Sequence, residues 1–97
     1  MLIITGRVTV DPAERDAYVA AHTELVQRAR AAPGCLDLAI SADPVDPARV
    51  NNVERWESQA DLDAWRKVAH APRLVPRIKD GDVRLYVIAE ERPVFAR

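Results

Sequence analysis

Apolar and polar residues alternate along four stretches of this chain, which is the pattern of half-buried β-strands. The alternation predicts strands at residues 2–10, 35–42, 49–57 and 83–89. Because successive side chains point to opposite faces of a strand, one face of each should point into the core. In the first predicted strand that face carries Leu2, Ile4, Gly6, Val8 and Val10.

Two stretches between the predicted strands repeat their apolar residues at helical spacing instead. The first helix is predicted to begin at Asp11-Pro12, a capping aspartate followed by a proline, and to end at Pro33-Gly34. The second is predicted to begin at Ser58, where Asp61 completes a capping signature. The buried stripes would hold Tyr18, His22, Leu25, Val26 and Ala29 in the first helix, and Leu62, Trp65 and Ala69 in the second.

The connecting segments carry turn-forming residues. A wide turn is predicted at 43–48, which contains two prolines and two aspartates. Pro72 and Pro76 predict an irregular segment after the second helix, and Asp80-Gly81-Asp82 predicts a turn before the last strand.

The element order predicts an α+β protein with the ferredoxin-like β-α-β-β-α-β arrangement, in one domain spanning residues 1–97. Such a fold has a four-stranded antiparallel sheet with two helices on one face. The face away from the helices would still expose Ile3, Val53, Tyr86 and Ile88, and an apolar surface of this kind is typical of an interface. We therefore expect a homodimer in which two sheets pack face to face.

Charge and cysteine content narrow the choice of partners. The 14 basic residues nearly cancel the 15 acidic ones and are scattered along the chain, so nucleic acid and membranes are not expected partners. Cys35 is the only cysteine, and two histidines far apart make a poor ligand set, so no metal site is expected. The amino-terminal stretch has no basic leader and is too short for a membrane span, which predicts a cytoplasmic protein.

Three short motifs occur in order within this pattern: Ala32-Pro33-Gly34-Cys35-Leu36 at the first helix-to-strand junction, Glu54-Arg55-Trp56-Glu57-Ser58 before the second helix, and the late Arg92-Pro93. On these motifs the chain resembles the antibiotic biosynthesis monooxygenase family over essentially its whole length. The resemblance implies a dimeric α/β barrel with a pocket between the sheet and the helices. For characterised enzymes of the family it also implies oxidation of phenolic or quinol substrates by dioxygen, without a metal or flavin cofactor.

Oxygenation without a cofactor requires a base, because dioxygen reacts slowly with closed-shell molecules and deprotonation makes a phenol electron-rich. His70 and His22 are the only histidines and are the candidate catalytic bases. His22 also fits a buried core residue of the first helix. His70 also fits an exposed residue at the end of the second helix.

Three further residues are candidate substrate contacts. Trp65 would form a flat wall for an aromatic ring, Asn52 would donate a hydrogen bond to a phenolate, and Tyr18 would lend a hydroxyl. Many proteins of the family that this chain resembles have a histidine at the position of Trp65, so a catalytic role of that histidine does not transfer to Trp65. Haem-degrading relatives use an asparagine at the position of Gly6, so haem degradation is not expected.

Two functions remain open. The first is a cofactor-independent monooxygenase acting on a phenolic, quinol or polycyclic aromatic molecule, and the alternative is a non-catalytic small-molecule-binding or stress-response module. For the first, we expect His70 and Trp65 to border one pocket, although five helical residues would separate them by about 140° around the axis. This expectation requires the helix to end before His70, which Pro72 and Pro76 favour.

Overall fold

In a computed structural model, which describes residues 1–95, four strands form an antiparallel sheet. Their bounds are Leu2–Thr9 (β1), Cys35–Ala42 (β2), Arg49–Trp56 (β3) and Asp80–Val87 (β4). The strand order across the sheet is β2-β3-β1-β4, so β2 and β3 form a hairpin, whereas the β1-to-β2 and β3-to-β4 connections are crossovers through the helices. This is the split βαβ arrangement, and the predicted ferredoxin-like fold is confirmed.

The first three strands lie within one residue of their predicted bounds, but the last strand does not. The turn predicted at Asp80-Gly81-Asp82 is wrong, because these residues pair with β1 opposite Thr9, Val8 and Arg7 as the first part of β4. Their turn propensity is overridden by the ladder positions that β1 offers, since strand propensity depends on pairing context.

The helical layer consists of three α-helices within residues 1–95: Arg15–Ala21 (α1), Thr23–Arg30 (α2) and Gln59–Val68 (α3). The first predicted helix is thus divided at His22, which is a correction to the sequence-based prediction. The predicted cap at Ser58 is confirmed, whereas Asp11 caps a 3-10 helix at Pro12–Glu14 and α1 itself begins at Arg15 without a side-chain cap. The Asp11 carboxylate accepts a hydrogen bond from the Ala13 amide at 2.9 Å, and the Ser58 hydroxyl accepts one from the Asp61 amide at 3.1 Å.

The helices cover one face of the sheet and enclose two clusters of buried residues. The larger cluster is centred on Trp56, which is fully buried and stacks on Trp65 of α3 with ring centroids 6.3 Å apart. The Trp56 Nε1 donates to the Glu54 carboxylate at 3.0 Å, so its one polar atom is satisfied in the core. The remaining members of the larger cluster are Leu2, Ile4, Ala29, Leu38 and Leu62, and the smaller cluster contains Val8, Val10, Tyr18 and Val50.

The helical layer does not reach β4. Val83, Leu85 and Val87 lie opposite Gly6, Ile4 and Leu2, so they are on the helix side of the sheet, since directly paired residues share a face. Their exposed fractions are nevertheless 43%, 41% and 78%. On the other face of the same strand Tyr86 is 49% exposed. β4 therefore presents apolar side chains on both faces.

The turn between β2 and β3 is organised by Asp43. Its Oδ2 accepts hydrogen bonds from the amides of Val45 and Asp46 at 3.0 and 2.8 Å, and its Oδ1 accepts one from the Asn51 side chain at 2.9 Å. The Asn51 hydrogen bond, followed by the two amides, lowers the pKa of Asp43 from 3.8 to about 2. The predicted wide turn thus holds an ionised carboxylate as its centre.

Replacing Asp43 with asparagine should lower the free energy of unfolding at neutral pH. Because the folded-state pKa of about 2 lies below the ordinary 3.8, the stabilisation is present above 3.8 and is lost as the pH falls through about 2. The difference in free energy of unfolding between wild type and Asp43→Asn, measured in urea, should therefore narrow as the pH falls from 3.8 to about 2. Asp16→Asn is the control. Asp16 is exposed, and its one ion pair, with Arg15 Nε, is long at 3.7 Å. A gap that stays constant across the window would contradict the assignment.

Candidate functional site

His22 is buried at the junction of α1 and α2, where the helix is interrupted. Its backbone amide donates to the Val19 carbonyl at 3.1 Å, which leaves the Tyr18 carbonyl without the usual helical donor. The ring Nδ1 of His22 lies 2.8 Å from that carbonyl and replaces the missing donor. Because a carbonyl oxygen only accepts hydrogen bonds, Nδ1 is the donor in this contact, and in the neutral ring Nε2 is then the acceptor nitrogen.

Tyr18 lies beside His22 in the helical layer, with ring centroids 4.5 Å apart and planes tilted by 37°. It belongs to the smaller buried cluster, against which Val75 also packs. Burial raises the pKa of Tyr18 above its ordinary value of 10.0. The hydroxyl therefore stays protonated at neutral pH and is available as a donor.

His70 follows the end of α3 and adopts a left-handed backbone conformation with φ of 48°. α3 ends at Val68 with Ala69 as its cap, so His70 occupies the position where helices commonly turn into this conformation. The predicted end of the helix before His70 is confirmed. The left-handed backbone turns the chain away from the helix axis and leaves His70 exposed.

Arg28 of α2 bonds the last carbonyls of α3. Its Nη2 donates to the Ala69 carbonyl at 2.6 Å and to the His70 carbonyl at 3.4 Å, and its Nη1 donates to the Val68 carbonyl at 3.3 Å. The terminal carbonyls of a helix have no partner within the helix and carry its partial negative charge, so a guanidinium is well suited to them. The same guanidinium lies over the Trp65 ring, 5.6 Å from its centroid.

A small groove of about 80 Å³ runs between the α1–α2 helices and the segment after α3. Its lining consists of Ala21, Glu24, Leu25, Arg28, His70 and Pro72. The four helical residues recur at helical spacing and form one stripe, so a single face of α1–α2 makes one wall. The groove therefore combines three apolar side chains with an imidazole, a guanidinium and a carboxylate.

The structure brings together some of the predicted site residues and separates others. His70 lines the groove, whereas Trp65 is not among its lining residues, because Arg28 lies over the tryptophan ring. His22 and Tyr18 contact each other deeper in the helical layer. Sequence reasoning missed Arg28, although its spacing of four from Glu24, 3.3 Å away, is a recognisable helical ion pair.

Asn52 lies on β3, paired with Gly6 of β1, and its Nδ2 makes only a long 3.4 Å contact with the Val50 carbonyl. Gly6 has φ of 156°, and a Cβ at this position would overlap the carbonyl oxygen of Asp82 in β4. No side chain therefore fits at Gly6, which explains why this position does not carry an asparagine side chain.

Within residues 1–95, no group of three or more His, Cys, Asp or Glu side chains is arranged to hold a metal ion. None of the helices in the same part of the chain has the length and apolar character needed to cross a membrane.

Comparisons with known proteins identify the same family in sequence and structure. The family model described as antibiotic biosynthesis monooxygenase matches residues 1–77. A solved structure of an antibiotic biosynthesis monooxygenase is 28% identical, with a TM-score of 0.74, over 93% of this chain and 100% of that one. A Mycobacterium tuberculosis protein is 21% identical, with a TM-score of 0.73, over 95% and 98% of the two chains.

A curated relative, an uncharacterized protein from Synechocystis, is 21% identical over 92% of this chain. The chain spans 64% of the length of that relative.

Replacing His22 with alanine should destabilise the protein by roughly 1–3 kcal/mol, because the Tyr18 carbonyl loses its donor in a buried setting. His22→Asn should lose less, since an asparagine amide can donate from nearly the position of Nδ1. Urea unfolding at neutral pH measures both. Equal stability of His22→Ala and wild type would contradict the capping role.

Proposed function

The chain belongs to the antibiotic biosynthesis monooxygenase family, and on that basis we propose that it is a cofactor-independent monooxygenase of a phenolic, quinol or polycyclic aromatic molecule. The observation that supports this proposal is the position of His70, an exposed imidazole on the edge of a groove that Ala21, Leu25 and Pro72 line together with the charged Glu24 and Arg28. The proposed compartment is the cytoplasm, since a single cysteine forms no internal disulfide.

In the proposed reaction His70 acts as the general base. An imidazole is well suited to this role because a ring nitrogen can accept a proton from a substrate hydroxyl. The apolar side chains of Ala21, Leu25 and Pro72 would hold the aromatic ring and exclude water from one side of it. In this proposal the proton acceptor, His70, lies beside a surface that would hold an apolar substrate.

The chemistry balances without a further reductant. A phenol gives its hydroxyl proton to His70, and the resulting phenolate supplies electrons to dioxygen. One oxygen atom is kept at a ring carbon that loses its hydrogen, and the other leaves as water. A phenol and one dioxygen therefore become a quinone and one water, and the proton held by His70 leaves with the water.

His22 is the second candidate base, because its Nε2 is the acceptor nitrogen of the ring and its neighbour Ala21 lines the groove. Tyr18, Trp65 and Asn52 are retained as proposed substrate contacts. Of the three, Trp65 is connected to the groove through Arg28, whose guanidinium lies 5.6 Å from the centroid of its ring and lines the groove.

Oxygen uptake with a panel of hydroquinones and anthrone-like compounds tests the proposal. His70→Ala should slow turnover about 10²–10⁴-fold, which is the usual contribution of a positioned general base. His22→Ala, the variant of the second candidate base, is compared with it under conditions where it remains folded. Full turnover by His70→Ala together with an inactive, folded His22→Ala would transfer the base role to His22. If wild type binds these compounds but consumes no oxygen, the non-catalytic binding module is the better account.

We also propose a homodimer formed through the sheet face opposite the helices. The proposal is supported by the half-exposed Ile3, Val53 and Ile88 and by the exposed Tyr86 on that face. A second sheet packed there would give the barrel that the family resemblance implies.

Sedimentation at micromolar concentration should detect a dimer for wild type and a monomer for Val53→Asp, because a carboxylate in the centre of an apolar interface is costly to bury. Leu74→Asp is the matched control. Leu74 is apolar and 95% exposed but lies outside this sheet face, so its substitution should leave the dimer intact. A monomeric wild-type protein would contradict the proposal.

A further inference from the structure

We propose that Arg28 is a positioning residue for the reaction: by bonding the carbonyls on either side of the turn after α3, its guanidinium holds the imidazole of His70 at the groove. This inference rests on the proposed function, in which His70 is the base. It concerns a residue that acts through His70 rather than by its own chemistry on the substrate.

The backbone of His70 is contacted from outside the turn. A residue with a Cβ adopts the left-handed region less readily than glycine, and although histidine and the position after a helix favour it, contacts from neighbouring elements stabilise it. Nη2 of Arg28 donates to both the Ala69 and the His70 carbonyl, at 2.6 and 3.4 Å. These carbonyls belong to the two peptide groups on either side of the φ and ψ bonds of His70. Loss of these contacts would let the segment choose other backbone conformations.

Arg28 has further contacts besides these carbonyls. Its guanidinium lies 5.6 Å from the centroid of the Trp65 ring, and its Nε forms an ion pair, without a hydrogen bond, with the exposed Glu24 carboxylate 3.3 Å away. A planar guanidinium can serve several acceptors at once in fixed directions, whereas a lysine ammonium is a compact point charge. The arrangement therefore requires arginine in particular.

α3 also has anchors that do not involve Arg28. Leu62 is buried in the core, Trp65 stacks on Trp56, and Ser58 caps the start of the helix. Removing the guanidinium should consequently free the turn at His70 without unfolding the helix. This separation allows a positioning role to be distinguished from a general effect on stability.

The test compares Arg28→Met with Arg30→Met. Methionine keeps an apolar stem against Trp65 but has no donor. Arg30 is the matched control, because it is an arginine of the same helix that also bonds a backbone carbonyl, that of Leu38 at 2.8 Å, and is not part of the groove lining. Arg28→Lys, which keeps the charge, provides a second variant if Arg28→Met folds poorly.

Two readouts are needed. The first is independent of activity: the heteronuclear NOE and the amide-to-Hα coupling of His70 in solution NMR report its order and its φ. Both should change in Arg28→Met, change less in Arg28→Lys, and stay as in wild type in Arg30→Met. The second is turnover, where kcat should fall at least about tenfold in Arg28→Met while KM changes little, the pattern of a lost transition-state contribution.

Unchanged order and φ of His70 in Arg28→Met and Arg28→Lys would overturn the inference, and so would a disordered His70 with undiminished kcat. If wild type shows no turnover on any compound, the proposed function fails. The NMR result still decides whether Arg28 holds His70, so the two failures are distinguishable.

Discussion

The last carbonyls of α3 need hydrogen-bond donors from outside the helix, and Arg28 of α2 supplies them. This contact joins α2, which precedes β2 in the chain, to α3, which follows β3. It also encloses Trp65 between the guanidinium on one side and the Trp56 ring on the other. The core, the end of α3 and the wall of the groove therefore share one side chain, and the position of His70 depends on it.

Much of the fold follows from patterns that are local in sequence. Alternation predicts β1, β2 and β3 to within one residue, since each has one face packed against helices and one that is not. The caps at Asp11 and Ser58 are equally local, because a side chain and an amide two or three residues away are sufficient to form them. Such features need no knowledge of the tertiary structure.

The features that sequence reasoning missed depend on distant partners. β4 begins at Asp80 only because β1 offers a ladder that overrides the turn propensity of Asp-Gly-Asp. The break at His22 requires its ring to replace a backbone donor, which an apolar stripe at helical spacing does not reveal. Arg28 meets α3 across about forty residues of chain, so no periodicity in either helix predicts the contact. The candidate histidines were thus identifiable from sequence, but the residue that holds His70 was not.

Two apolar surfaces of this chain compete as the place where an aromatic molecule would bind: the groove at His70, and the uncovered helix side of β4 at Val83 and Leu85. Titrating the isotopically labelled protein with hydroquinone, while following backbone amide shifts by NMR, distinguishes them. Binding in the groove predicts saturable shifts at Ala21, Leu25 and His70, with β4 unaffected. Shifts confined to Val83 and Leu85 would contradict the assignment of the groove as the functional site.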